Sequence, residues 1–495
     1  MTGAEAANHV LRRWAYALGI LAVAGLALHG GIMVWAQNEF SQPESIVAVQ
    51  ATMLTHGGTL YPSLSDYPYT VNAYMPLFYF LESGFVRLGV SPVLGGRAIS
   101  FMALLTILWV TQRTVLIYTA DRRYSAFAAM LCATTSLLLL WGSTGQVDML
   151  AVMLALSAFY QFSRFHVLGE NSLWLSLALS FAALMVKQTA VAAPVAICLA
   201  LLVDRPKWAL SYGVLLSVAV GSICGVANMI THGGFLANTL FANINPFAWH
   251  KLKQHLQLFL LAAGPLSCVA VVCAGHVWRP KSRALLIYLV CAACVWLATG
   301  AKIGSDSNYQ IETIILLVWV ASAGLHAMKF FERFFARSKA SVTLLHIPLI
   351  LQLALNFGLM YPTLSSRADK ELKFRQQIVQ LRPYLAGGGR AIVADVNAAL
   401  RTQGRLDVEP LIYTLLVEGG QIDPEPLRRD LASEAFSTLV LYFDVNHAED
   451  LVDPEIPRLT AMQSRTVRRH YTLVANIPGP YLNGVFVYKP AGRPE

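Results

Sequence analysis

Residues 74–89 read YMPLFYFLESGFVRLG, and whether this run crosses a membrane decides the topology of the whole chain. It is apolar but only 16 residues long, and it carries Glu82 and Arg87. A helix needs about 20 apolar residues to cross the hydrocarbon core. Read as lying at the interface, the run leaves the basic short loops near 121–123, 204–207, 279–283 and 329–339 on one side. The positive-inside rule asks for that arrangement. Counted as a span, the run would put most of those loops on the other side. It therefore reads as an interfacial helix.

Composition sets the frame for that reading. The 495 residues are 56% hydrophobic and 13% charged, with a mean hydropathy of +0.53. A soluble domain carries roughly 25% charge. Repeated long apolar runs between short charged loops indicate a polytopic α-helical membrane protein, without the dyad alternation of a barrel. The net charge of +9 is concentrated in those loops, so it reads as a topology signal rather than a nucleic-acid footprint. All seven cysteines fall in expected spans, which implies neither a disulfide framework nor a metal site.

Eleven spans are expected. Arg12 and Arg13 precede the first, about 14–36, which reads as an uncleaved span entering from the cytoplasm. The loop 37–97 is then extracytoplasmic. Spans follow at about 98–119, 124–142, 149–163, 172–186, 188–203, 208–230, 256–275, 284–300, 311–327 and 342–360. The aromatics of 61–80 read first as interfacial anchors. Residues 1–361 thus form the membrane domain. Residues 362–495 form a soluble α/β domain outside, with strands expected in AIVAD, FSTLVLYFD and GVFVYKP. No phosphate loop, HExxH, GxSxG or CxxC occurs there.

Ionisable residues at or in a membrane are costly and are functional candidates by default. On the outer face these are Glu39, Glu44, Asp66, Arg97, Asp148, Lys187, Lys302 and Asp306. A carboxylate can deprotonate an acceptor hydroxyl, and cations can offset charge developing on a phosphate leaving group. Each has a plainer reading. Glu39 and Glu44 follow a span and can be simply solvated; Asp148 can cap a helix. Lys187 and Arg97 can anchor at headgroups, and Lys302 can belong to a capped turn. His29 reads as a packed helix residue.

In order along the chain, these features resemble the GT-C class of multispan glycosyltransferases. Within that class they are most similar to the protein O-mannosyltransferase and aminoarabinose transferase group. The resemblance runs over about residues 10–330. Its landmarks are Pro43-Glu44, HGGTLYP at 56–62, Tyr74 through Tyr79, Arg97 in GGRAIS, Asp148 in GQVDMLAV, Lys187 in VKQTAVAAP, and the turn Gly304 to Tyr309. The family has a pair of acids at the first landmark, where this chain has Pro43-Glu44 and, upstream, Asn38-Glu39.

The resemblance implies an all-α polytopic GT-C-like domain and inverting transfer of a sugar from a polyprenyl-phosphate donor on the extracytoplasmic face. The acceptor hydroxyl belongs to a lipid, a glycan or a protein. Glu44 would be the general base, with Glu39 the other candidate, and Asp148 would shape the same cleft. Arg97, Lys187 and Lys302 would clamp phosphate, and Asn308, Tyr309 and Tyr74 would bind substrate. A divalent metal has no compact ligand cluster to support it. A bacterial inner membrane is the expected location, with the endoplasmic reticulum as the alternative. Two other classes remain at the level of sequence: a transporter or flippase for a lipid-linked saccharide, and a non-catalytic assembly protein.

Overall fold

The computed structural model describes scattered positions between 20 and 39, then 42–329, 355, 369–450, 456–480 and 484–492. The first expected span and the expected span at 342–360, each for the most part, and His29 lie outside the described residues. The chain divides into two compact units, one of 1–34, 97–221 and 247–362, the other of 35–96, 222–246 and 363–495.

The first unit is helical. Among the described residues, four helices are long and apolar enough to cross a membrane: Pro92–Thr119, Pro206–Ile230, Trp249–Val277 and Ser307–Ala327. Pro206–Ile230 runs on into the second unit. The run expected as one span at 124–142 is instead Arg122–Ala133 and Ser136–Gly142, bent by 65°. The break falls at Thr134 and Thr135. Their hydroxyls donate back to the carbonyls of Met130 and Leu131, at 3.1 and 3.0 Å. Such back-bonding competes with the helical ladder and bends it.

The expected pair at 172–186 and 188–203 is present as Leu173–Val186 and Ala192–Asp204, of 14 and 13 residues. At 1.5 Å per residue each rises only about 20 Å, short of the roughly 30 Å core. Both are shorter than a full crossing, and a turn at Lys187 joins them. Val147–Leu168 packs against both.

The second unit holds a four-stranded sheet in the order β1-β2-β4-β3. Its strands are β1 (Ala391–Val393), β2 (Thr438–Leu441), β3 (Tyr471–Ile477) and β4 (Val485–Pro490). β1 and β2 are parallel; the other pairings are antiparallel. Three strands match the expected segments, and β3 is additional. The hydrophobic cores of this unit are not built from residues after 362 alone. One includes Tyr69, Val71, Ala73 and Ala242 with Leu439 and Leu441. Another includes Ile46 and Val49 of the Gln42–Thr55 helix with Val393, Val396 and Val440.

Polar contacts complete the join. Tyr69 N donates to the Asp407 carbonyl at 3.0 Å, and Glu409 N donates to the Tyr69 carbonyl at 2.8 Å. Asn238 accepts from Asn72 N at 2.9 Å and donates to the Pro62 carbonyl at 2.8 Å. Gly234 makes that approach feasible: a Cβ there would lie 2.4 Å from the Tyr61 carbonyl oxygen. Tyr61, Tyr69, Phe78 and Tyr79 are buried within the unit, so these aromatics pack protein where the sequence suggests interfacial anchors.

The stretch at 74–89 forms the helix Pro76–Arg87, of 12 residues. It is too short to span, it packs on Gln42–Thr55, and its buried residues are Phe78, Tyr79, Glu82 and Ser83.

Candidate active site

Asp148 stands in the first turn of Val147–Leu168, where the positive end of the helix favours a carboxylate. Lys187 follows Val186 in an extended conformation, φ −146° and ψ 122°, so the chain leaves the helix at that residue. Its Nζ lies 2.5 Å from Asp148 Oδ1. The two side chains are 8% and 4% exposed, which makes this a buried ion pair held across 39 positions of sequence. The same ammonium lies 3.9 Å from the centroid of the Tyr309 ring, within the range of a cation–π contact.

Tyr309 belongs to the 3₁₀ turn Ser307–Gln310. The turn is pinned on several sides. Asp306 accepts from Ser307 N at 2.5 Å, and Asn308 Oδ1 accepts from Tyr309 N at 3.1 Å. Trp141 Nε1 donates to Ser307 Oγ at 3.1 Å, and Gln310 Nε2 donates to the His255 carbonyl at 2.9 Å. A turn fixed in this way presents Asn308 and Tyr309 without further ordering cost. Glu312, in the first turn of the helix Ile311–Ala327 that follows, accepts a hydrogen bond from the Tyr288 hydroxyl.

These groups line one pocket. Asp148, Lys187, Asn308 and Tyr309 come together there with Trp296 and Glu312, around a small cavity of about 40 Å³ that opens at its mouth. Asp148 Oδ2 and Trp296 Nε1 are buried without a hydrogen-bond partner. An unpaired buried acceptor or donor costs about 1–3 kcal/mol, so both point to an occupant. Glu312 and Trp296 were not singled out from sequence. The signal for Glu312 was present, an acid opening the apolar run 311–327.

The other candidates are placed elsewhere. Arg97 is wholly buried within Pro92–Thr119, and Lys302 is half-buried and bridges Phe247 through its backbone. Neither lines this pocket. In the second unit, Glu44 is wholly buried in the first turn of Gln42–Thr55, and Glu39 is 6% exposed just before it. The Tyr74 carbonyl accepts from the Tyr61 hydroxyl at 2.9 Å. Asp66 and Asp306 are exposed.

Glu82 departs from expectation. Read from sequence as a charge keeping its helix at the interface, it is wholly buried, and both its oxygens lack a hydrogen-bond partner. Burial, and secondarily the charge of Glu44, hold its carboxyl well above the ordinary carboxylate range. Among the described residues no group of three or more His, Cys, Asp and Glu is placed to hold a metal ion.

A family model described as dolichyl-phosphate-mannose-protein mannosyltransferase matches residues 72–230. Among solved structures the chain is similar to ArnT from Cupriavidus metallidurans bound to undecaprenyl phosphate. The identity is 12% and the TM-score 0.62, over 96% of this chain and 97% of that one. Its apo state matches at 13% identity and a TM-score of 0.61, over 96% and 98% of the two chains. At such identity the likeness is one of fold. A search of the curated proteins found no match by sequence.

Proposed function

This chain has the fold of the GT-C membrane glycosyltransferases, and from that premise we propose that it moves a sugar from a polyprenyl-phosphate donor to an acceptor hydroxyl. One observation carries the reading. The buried Asp148–Lys187 pair faces a pocket that holds an unpartnered carboxylate oxygen and two aromatic rings, Trp296 and Tyr309. Carboxylates, amides and aromatic faces are the groups that hold a sugar ring. The comparisons support the lipid-linked donor: the family model is described by a dolichyl-phosphate sugar, and the ArnT structure was solved with undecaprenyl phosphate.

The chemistry follows from the residue types. Glu44 takes the proton of the acceptor hydroxyl, with Glu39 the alternative base. The acceptor oxygen attacks the anomeric carbon opposite the phosphate, the bond to the phosphate oxygen breaks, and the configuration inverts. Arg97 and Lys302 offset the charge that develops on the departing polyprenyl phosphate. Lys187, neutralised by Asp148, serves the sugar rather than the phosphate. The reaction runs on the extracytoplasmic face of a bacterial inner membrane, with the N-terminus cytoplasmic and the C-terminal domain, residues 362–495, periplasmic. The acceptor is a lipid, glycan or protein.

The test is transfer of label from a panel of radiolabelled polyprenyl-phosphate sugars by the purified protein. Wild type is run beside Glu44→Ala, Glu39→Ala and Lys187→Ala, each checked for folding. Transfer lost in Glu44→Ala is the expected result; loss only in Glu39→Ala moves the base. No turnover of any donor overturns the reading.

A further inference from the structure

We propose that the Asp148–Lys187–Glu312 pocket is a sugar-ring subsite that admits neutral sugars and rejects anionic ones, with Glu312 as the residue that sets this preference. The inference rests on the glycosyl-transfer reading and names the substrate class of its pocket.

The inventory of hydrogen-bonding groups decides it. One ammonium, Lys187, stands against two carboxyl groups, Asp148 and Glu312. That ammonium is already engaged, by Asp148 at 2.5 Å and by the Tyr309 ring at 3.9 Å. Glu312 is held as an acceptor by the Tyr288 hydroxyl. Among the fully buried polar atoms of the pocket, what remains unmet is an acceptor, Asp148 Oδ2, and a donor, Trp296 Nε1, on residues 3% and 4% exposed.

A hydroxyl group can donate to the first and accept from the second. A carboxylate or phosphate oxygen only accepts. It would leave Asp148 Oδ2 unpaired and bring a third acidic group against two others in a desolvated space. The pocket therefore suits the hydroxyl groups of a sugar without negative charge and disfavours both a uronic acid and the donor phosphate. Glu312→Gln keeps the acceptor for Tyr288 while removing one acidic group, so it isolates the charge from the shape.

The experiment compares kcat/KM for a polyprenyl-phosphate hexose and the matching polyprenyl-phosphate hexuronic acid. Wild type is expected to prefer the neutral sugar by about a hundredfold, and Glu312→Gln to narrow that ratio by about tenfold. A wild type that uses both donors equally, or a ratio unmoved by Glu312→Gln, overturns the proposal. A second readout needs no turnover, so it separates failure of this inference from failure of the transfer reading. Saturation-transfer NMR is run on the detergent-solubilised protein with a methyl hexoside, a methyl hexuronide and methyl phosphate. Contact from the hexoside alone, lost in Asp148→Asn, is expected. Contact from the anionic probes in its place, or from none of the three, refutes the assignment.

Discussion

Lys187 Nζ and Asp148 Oδ1 lie 2.5 Å apart with both side chains buried, so each compensates the other's charge inside the protein. Removing one partner of such a pair leaves an uncompensated buried charge and costs about 3–5 kcal/mol, whereas replacing both by apolar groups is often close to neutral. Lys187→Met is therefore expected to lower the thermal unfolding temperature sharply. Lys187→Met combined with Asp148→Leu should recover most of the loss, while sugar transfer stays abolished in both. Unfolding in detergent, followed by intrinsic fluorescence, measures it. A double variant as unstable as the sum of the singles would remove the pair as the source of the effect.

Close packing gives a second expectation. A Cβ at Gly324 would lie 2.2 Å from Cys273 Cβ and 3.0 Å from Cys273 Cα, so the helices Trp249–Val277 and Ile311–Ala327 meet there without room for a methyl group. Gly324→Ala is expected to destabilise by about 1–3 kcal/mol. Truncating the facing residue, Cys273→Gly, should restore much of this, less the roughly 1 kcal/mol that a helix-interior glycine costs. Cys273→Ala keeps the offending Cβ and should not rescue. Thermal unfolding of the four proteins decides it.

Local patterns explain what could be read from the chain. Apolar runs such as 147–168 and 311–327 appear as helices, since burial and internal hydrogen bonding leave them little choice. The bend at Thr134–Thr135 escaped because back-bonding hydroxyls change no hydropathy. β3 escaped because it borders only β4 and leaves Leu473 and Val474 exposed, so it lacks the alternation of a half-buried strand. In the site, the four residues Asp148, Lys187, Asn308 and Tyr309 were candidates, and the structure brings them into one pocket. Glu312 and Trp296 join them through tertiary packing, which no spacing along the chain encodes. Tyr69 and Val71 likewise enter the core around β2 through long-range contacts.

Glu409 supplies a pH dependence in the second unit. It is wholly buried, and burial pushes its carboxyl up to about 7, against the opposing hydrogen bonds from the backbone N–H groups of Ile412, Leu411 and Tyr413. A folded-state pKa above the ordinary 4.5 means that the folded form holds the proton more tightly. The stability it contributes is complete below about pH 4.5 and is lost as the pH rises toward about 7. Hydrogen exchange of a 407–418 peptide from the intact protein, corrected for intrinsic rates, should show protection weakening across that window. In Glu409→Gln the protection should be flat. A wild-type profile that is flat or rises would contradict the assignment.

Asp407 ties the first outer loop to β1. Its Oδ1 accepts from the Tyr67 hydroxyl at 2.5 Å and its Oδ2 from Ala391 N at 2.7 Å, and the Arg390 guanidinium lies 3.9 Å from the Tyr67 ring centroid. Tyr67→Phe deletes one hydrogen bond and keeps the stacking, a loss of about 1–3 kcal/mol for a bond to a charged acceptor. Asp407→Ala deletes both and leaves a buried backbone N–H unpaired, at a further cost of about 1–3 kcal/mol. Hydrogen exchange should therefore rise within residues 60–75 alone for Tyr67→Phe, and within both 60–75 and 388–394 for Asp407→Ala. Because the Gln42–Thr55 helix shares a core with Val393 and Val396, the second variant should also loosen the helix that carries Glu44 and lower kcat more than it raises KM. Equal exchange in the two variants would mean that the Asp407 carboxylate does not couple the loop to the sheet.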